Sequence, residues 1–175
     1  MRRVADLVLR SGIILAFAVL LACVSWQVIS RYVLGTPSTV TDELARFIFM
    51  WLALVGGAFT YGQGRHLAID FLPMSVKGRK RQATEAAITL LIAAFALIVM
   101  VWGGSQLVLK TLASGQISPS LRVPMGWVYG AVPVAGAIIT AYAGGNLLRI
   151  AQGEEILKPA DELSVEMADT EESKR

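Results

Sequence analysis

The chain has very few of the side chains that support metal, redox or disulfide chemistry. Its 175 residues include one cysteine, Cys23, and one histidine, His66. A single cysteine cannot form an internal disulfide, so the fold does not depend on an oxidising compartment. A single histidine excludes haem ligation by two histidines of the same chain. The sequence shows no cysteine pair and no glycine-rich phosphate loop, so it predicts no cofactor, no metal site and no enzymatic activity.

Charged residues are also scarce, and four long runs contain none. Charged side chains make up 17% of the chain and hydrophobic ones 55%. A helix needs about 20 apolar residues to cross the hydrocarbon core of a bilayer. Each run is long enough for one crossing, whereas a soluble core would show polar faces at every turn. The uncharged runs are 11–30, 47–64, 86–109 and 123–148.

These runs predict an all-α integral membrane protein with four transmembrane helices. The membrane domain is expected to cover residues 1–153. Residues 154–175 carry eight acidic and three basic residues and no aromatic one, a composition typical of a disordered segment. We therefore expect a short disordered acidic tail after the membrane domain. The predicted helices cover about 11–33, 40–62, 82–110 and 123–149.

Lysine and arginine are distributed unevenly between the predicted loops. Twelve of the 16 lie in the N-terminal segment, the middle loop and the tail, and four lie in the other two loops. Because basic residues remain on the cytoplasmic side of a membrane, both termini are expected to face the cytoplasm. This orientation predicts a multi-pass membrane protein with the loops near Arg31 and Arg122 facing outward.

A group of polar side chains lies where the first predicted helix ends and the second begins. An ionised side chain costs at least about 2.5–3.5 kcal/mol at the bilayer centre, so such groups pair with one another or mark a functional site. The spacing predicts that Asp42 pairs with Arg46 in its own helix and that Glu43 reaches Arg31. Charges satisfied within the chain and charges presented to a partner both remain open. The candidates for inter-helix or partner contact are Arg31, Tyr32, Asp42, Glu43 and Arg46.

Small residues recur at helical spacing in the fourth predicted helix and, less extensively, in the second. Small side chains allow membrane helices to approach closely, although the pattern is weak by itself. Pro133 lacks a backbone N–H and predicts a kink in the fourth helix. The helix-packing candidates are Ala53, Gly57, Gly126, Gly130, Ala137, Ala141 and Gly145.

The middle loop carries a basic cluster. Its bias is explained by topology alone, which is the preferred interpretation. A second interpretation is contact with anionic lipid headgroups, at about 1 kcal/mol per basic residue. The headgroup candidates are Lys77, Arg79, Lys80 and Arg81.

Several short segments, in this order, resemble the small permease subunit (DctQ-like) of tripartite ATP-independent periplasmic (TRAP) transporters. The resemblance covers roughly residues 10–150 and depends on the combination, since each piece is weak. The family often has tryptophan three residues before the glutamate matched by Glu43, whereas this chain has Val40. The segments are RYV at 31–33, DELAR at 42–46, WL at 51–52, GGA at 56–58, GRHLAIDFL at 64–72, SPSLRVP at 118–124 and residues 129–133.

The resemblance implies a subunit of an importer in the bacterial inner (cytoplasmic) membrane, one that supports transport without carrying out translocation itself. Its expected partners are a large TRAP permease subunit, a periplasmic substrate-binding protein and membrane lipids, with no nucleic acid. The expected process is sodium-coupled uptake of organic acids such as sialic acids or C4-dicarboxylates. Two alternatives remain: an autonomous four-helix exporter, which would need a buried membrane carboxylate, and the membrane anchor of a redox enzyme, which the single histidine disfavours.

Overall fold

Helices account for nearly all of the chain that the structure describes, which is residues 2–63 and 79–152 of a computed structural model. The first two helices are α1, Arg2–Tyr32, and α2, Thr39–Gly62. The third membrane-length segment consists of α3, Arg79–Phe95, a π-helix, Ala96–Gly103, and α4, Gly104–Ala113. The fourth consists of α5, Met125–Tyr129, and α6, Ala131–Ala151.

Four of these segments are long and apolar enough to cross a membrane, which confirms the predicted fold class. They are called spans 1 to 4 below. Helix α1 begins at Arg2, well before the predicted start at residue 11, because a helix can extend beyond its apolar part into water. The predicted acidic tail lies outside the described residues. The four spans are Asp6–Tyr32, Thr39–Gly62, Ala83–Ala113 and Met125–Ala151.

Two glycines end the helices that enter the loops at one end of the molecule. Gly35 follows α1 with φ +66°, and Gly115 follows α4 with φ +64°. This left-handed conformation is the usual way to stop a helix, and glycine adopts it without steric cost. Because successive spans run in opposite directions, the loop between spans 1 and 2 and the loop between spans 3 and 4 lie at the same end, which we call the hairpin end.

Spans 3 and 4 both depart from regular α-helix. The π-helix Ala96–Gly103 has wider turns and is unusually long for a conformation that normally occupies a single turn. Span 4 is divided at Gly130 into α5 and α6, three residues before Pro133, and the predicted kink itself stays a prediction. Pro133 cannot donate to the carbonyl one turn earlier, so the helical hydrogen bonds are interrupted there. The two irregular regions lie close together. Gly104 directly follows the π-helix, and a Cβ on it would lie 3.1 Å from Pro133 Cδ.

The four spans form an open row and do not close into a bundle. Among the described helices, α1 makes extensive contacts only with α2, and α2 packs on span 4. Span 4 in turn packs against α3, the π-helix and α4. The order across the row is therefore span 1, span 2, span 4, span 3. A closed bundle would pack each span extensively on two neighbours, whereas spans 1 and 3 each pack extensively on one, so wide apolar faces stay uncovered.

Close packing inside the row depends on small residues other than most of the predicted ones. Ala58 on α2 and Ala135 on α6 are fully buried. A Cβ on Gly136 would lie 2.6 Å from Met100 Cβ in the π-helix, so only glycine fits there. Other buried small residues are Ala45, Ala96, Ala131 and Ala143.

Three of the predicted packing residues are exposed in the described chain, and for them packing against another helix stays a prediction. Ala53, Ala137 and Ala141 are exposed, and a Cβ on Gly57 would meet nothing within 4 Å. Gly126 lies in close contact within the chain, because a Cβ on it would lie 2.4 Å from Leu112 Cγ. Gly130 and Gly145 are half-buried. Small residues occupy several faces of span 4, so their spacing alone does not select the inward one.

Candidate functional site

The loop between spans 3 and 4 folds into a short hairpin formed by residues 116–125. An antiparallel β-bridge joins Ile117 to Pro124. The Ser118 N–H donates to the Val123 carbonyl at 2.9 Å, and the Met125 N–H donates to the Gln116 carbonyl at 2.9 Å. These bonds fix the path of the backbone between the two spans.

Two residues of the hairpin show how tightly it is built. Ser118 is 1% exposed, and its hydroxyl oxygen accepts a hydrogen bond of 3.2 Å from the Val123 N–H. Arg122 has φ 54°, a left-handed conformation that a residue other than glycine adopts only at a cost of about 1–3 kcal/mol. Because such a conformation persists only when its surroundings fix it, the hairpin must be held by further contacts.

Glu43 supplies these contacts from the first turns of α2. Its Oε2 atom accepts hydrogen bonds from the backbone N–H groups of Ser120, at 2.9 Å, and Leu121, at 2.7 Å. A carboxylate that accepts from backbone N–H groups forms bonds about twice as strong as neutral ones. We call this arrangement the Glu43 clasp. It joins the DELAR and SPSLRVP segments, which are more than 70 residues apart in the chain.

The prediction that Glu43 pairs with Arg31 is therefore wrong. The hairpin N–H groups take the carboxylate, and the two side chains form no ion pair with each other in the described structure. Sequence spacing gives no sign of this partner, because it does not determine the fold of the loop between spans 3 and 4. The predicted pair of Asp42 with Arg46 is confirmed as an ion pair between neighbouring turns of α2.

Arg31 and Tyr32 lie across a groove from this ion pair. The groove is about 400 Å³ in volume and runs between the last turn of α1 and the first turns of α2. Gln27 on α1 also lines it and donates from Nε2 to the Thr41 carbonyl at 2.9 Å, which ties the two helices together. The structure thus gathers all five polar candidates at the hairpin end, although it does not pair them all as predicted.

The lipid-headgroup candidates lie at the opposite end of the molecule or outside the description. Arg79, Lys80 and Arg81 form the first turn of α3. Lys77 lies outside the described residues. Contact of these residues with lipid stays a prediction.

Sequence reasoning missed two polar sites at this opposite end. The Tyr142 hydroxyl on α6 donates to Asp6 Oδ1 on α1, and the Tyr142 ring lies against Gly62, where a Cβ would come within 2.5 Å of it. Glu85, near the start of span 3, is 5% exposed. Asp6 and Tyr142 are 136 positions apart, so no local pattern could reveal their contact.

The hairpin end presents polar and charged groups at the surface of the described chain. Within residues 2–63 and 79–152, no three histidine, cysteine or acidic side chains stand close enough to hold a metal ion. The hairpin end offers exposed backbone turns, a rigidly held loop and charged groups. Such a surface can bind another molecule and can brace it.

The chain is similar in sequence to known transporter components. Residues 20–153 match the family described as tripartite ATP-independent periplasmic transporters, DctQ component. The chain is 31% identical over 124 residues to the sialic acid TRAP transporter small permease protein SiaQ of Vibrio cholerae, covering 70% of this chain and 69% of SiaQ.

Two further relatives are a small and a larger permease protein. The C4-dicarboxylate TRAP transporter small permease protein DctQ of Rhodobacter capsulatus is 31% identical over 100 residues, 56% of this chain and 43% of that protein. The sialic acid TRAP transporter permease protein SiaT of Haemophilus influenzae is 25% identical over 125 residues, 70% of this chain and 19% of SiaT. This chain belongs to the DctQ component family of tripartite ATP-independent periplasmic transporters.

Proposed function

We propose that this chain is the small, non-translocating subunit of a three-part importer, in which it braces a large permease and helps to dock a periplasmic binding protein. The observation that carries this proposal is the open row of spans. Spans 1 and 3 each pack on one neighbour, and the row leaves wide apolar faces. In a membrane, such faces are suited to packing against the helices of another subunit.

The positions of the charged residues support a bracing role without translocation. Asp42 and Glu43 lie in the first turns of α2, and Asp6 and Glu85 lie near the first residues of spans 1 and 3. Ion-coupled carriers usually bind substrate and ions near the bilayer midplane, often at broken helices. The uncharged middle of the described spans is consistent with a translocation path in the large permease. We therefore propose that the chain is not an enzyme and does not translocate substrate by itself.

The relationship to SiaT supports a large permease as partner. This chain aligns with 19% of that permease protein, so a segment like this chain occurs within a longer permease. A small subunit and a large permease that share one polypeptide in a relative are good candidates for a complex here.

The proposed orientation places the hairpin end in the periplasm and both termini in the cytoplasm of a bacterium, with the chain in the inner membrane. It is supported by the twelve lysines and arginines of the opposite side against four at the hairpin end. A periplasmic binding protein would then meet the hairpin. The exposed Pro119 and Arg122 are placed to touch it.

The proposed cargo is an organic acid taken up with sodium. Relatives are named for sialic acid and for C4-dicarboxylates, and both classes are carboxylates. Sodium coupling rests on the family resemblance described above.

Co-purification with the large permease tests the bracing role. Ala137→Leu and Ala141→Leu change an exposed face of α6, whereas Gln152→Leu changes an exposed residue just past the end of α6 and serves as the control. If α6 packs on the permease, the first two variants should lower the yield of the complex and the control should not. Equal yields for all three would show that this face of α6 meets lipid.

A further inference from the structure

We propose that the groove between α1 and α2 binds the phosphate headgroup of an anionic phospholipid through Arg31. The groove lies where span 1 ends at Tyr32 and span 2 begins at Thr39. This is the depth at which apolar helices give way to polar loops, and lipid headgroups occupy that level of a bilayer. The inference does not depend on the proposed function or on orientation, because both leaflets contain phospholipid phosphate.

Among the residues that the structure describes, no acidic side chain at the hairpin end pairs with Arg31. Asp42 is paired with Arg46, and Glu43 accepts from the hairpin backbone. Of the acidic residues that the structure describes, these are the two at this end. Arg31 is exposed, and it lines the groove together with Arg46. The groove therefore carries one excess positive charge and is complementary to a single anionic group.

The chemistry of the lining favours phosphate. An arginine guanidinium presents its N–H donors in a planar fork that matches phosphate oxygens with two parallel hydrogen bonds. Thr39 and Tyr32 add hydroxyl groups to the same groove. Its volume of about 400 Å³ falls within the usual range for small-ligand sites.

The surface below Arg31 favours a lipid over free phosphate. Leu21, Val24 and Val28 are 52%, 43% and 53% exposed. Spacings of three and four residues place them with Arg31 on one face of α1. A cation above an exposed apolar stripe has the arrangement expected for a headgroup above its acyl chains. Val28 lines the groove itself, so the stripe leads directly into it.

Binding of short-chain phosphatidylglycerol to the purified full-length chain, with short-chain phosphatidylcholine as the neutral comparison, tests the inference. A basic residue near an anionic lipid contributes about 1 kcal/mol, which corresponds to about a fivefold change in Kd. Arg31→Gln should weaken phosphatidylglycerol binding about fivefold or more. Arg31→Lys keeps the charge and loses the planar fork of donors. Its affinity for phosphatidylglycerol should lie between those of the wild type and Arg31→Gln.

Lys110→Gln is the matched control. Lys110 is an exposed cation at the same end, and it does not line the groove. If Lys110→Gln weakens binding as much as Arg31→Gln, the attraction is general surface charge and the proposed site is wrong. Inorganic phosphate that binds as tightly as phosphatidylglycerol would overturn the lipid assignment. If Arg31→Gln weakens capture of a binding protein but leaves lipid binding unchanged, the groove serves a protein partner and the inference is also overturned.

Discussion

Glu43 and Leu121 are 78 positions apart in the chain, and the Glu43 carboxylate accepts a hydrogen bond of 2.7 Å from the Leu121 backbone N–H. The same oxygen accepts from the Ser120 N–H. The start of span 2 thus holds the loop that enters span 4. A substitution at Glu43 should therefore alter the backbone at Leu121.

Removing the Glu43 carboxylate should loosen the hairpin. Glu43→Ala deprives two N–H groups of their acceptor, and a hydrogen bond to a charged group contributes about 1.5–3 kcal/mol. Amide hydrogen exchange at Ser120 and Leu121 should therefore accelerate about tenfold or more. Glu43→Gln keeps one carbonyl acceptor and should have a smaller effect.

Asp42→Ala is the control for this experiment. Asp42 is the neighbouring acid, and its exposed ion pair with Arg46 should contribute at most about 1 kcal/mol. Exchange at Ser120 and Leu121 should stay at the wild-type rate in this variant. If exchange is equally slow in Glu43→Ala, other contacts hold the hairpin and the clasp is incidental.

Reversing the charges of Arg31 and Glu43 should not restore the clasp. In the double variant Arg31→Glu with Glu43→Arg, an arginine replaces the acceptor, and a guanidinium can only donate hydrogen bonds. Exchange at Ser120 and Leu121 should remain as fast as in Glu43→Ala. Restoration of slow exchange would show that the two side chains pair directly, against the structure.

At two neighbouring positions on α6, added side-chain volume should change the stability of the chain by different amounts. Gly136→Ala places a Cβ 2.6 Å from Met100 Cβ, and overpacking typically costs about 1–3 kcal/mol. Ala137 is exposed, so Ala137→Leu should change the stability of the isolated chain by less than about 0.5 kcal/mol. Thermal unfolding in detergent measures both. A destabilised Ala137→Leu with an unaffected Gly136→Ala would reverse the assignment of the inward face.

Tyr142→Phe should free the N-terminal end of α1. The substitution keeps the ring on Gly62 and removes the hydroxyl that donates to Asp6. Helix α1 packs extensively on α2 alone, so this hydrogen bond is a major tie to span 4. Hydrogen exchange should rise in the first turns of α1 and stay unchanged near Gln27. If hydrogen exchange in the first turns of α1 is the same in the wild type and in Tyr142→Phe, the hydrogen bond contributes nothing.

The four spans could be predicted because burial in a membrane depends on composition over about 20 residues. Uncharged runs of that length have few alternatives to a transmembrane helix. The ion pair between Asp42 and Arg46 could also be predicted from the sequence, since residues four apart share a helix face. These features are local, and the sequence contains all the information that they need.

The rest of the site depends on contacts between distant segments. The Glu43 clasp requires the fold of the 116–125 hairpin, whose backbone bonds and left-handed Arg122 have no sequence period. The inward face of α6 could not be chosen either, because small residues occur on several of its faces. The π-helix likewise leaves no sign in an apolar run that fits a regular helix equally well.

Uptake of labelled organic acids into proteoliposomes, driven by a sodium gradient, tests the central claim most directly. The chain should be reconstituted alone, and together with its large permease and periplasmic binding protein. The account predicts no uptake above empty liposomes for the chain alone and clear uptake for the three proteins together. Uptake by the chain alone would contradict it, because the small subunit would then contain a transport path of its own.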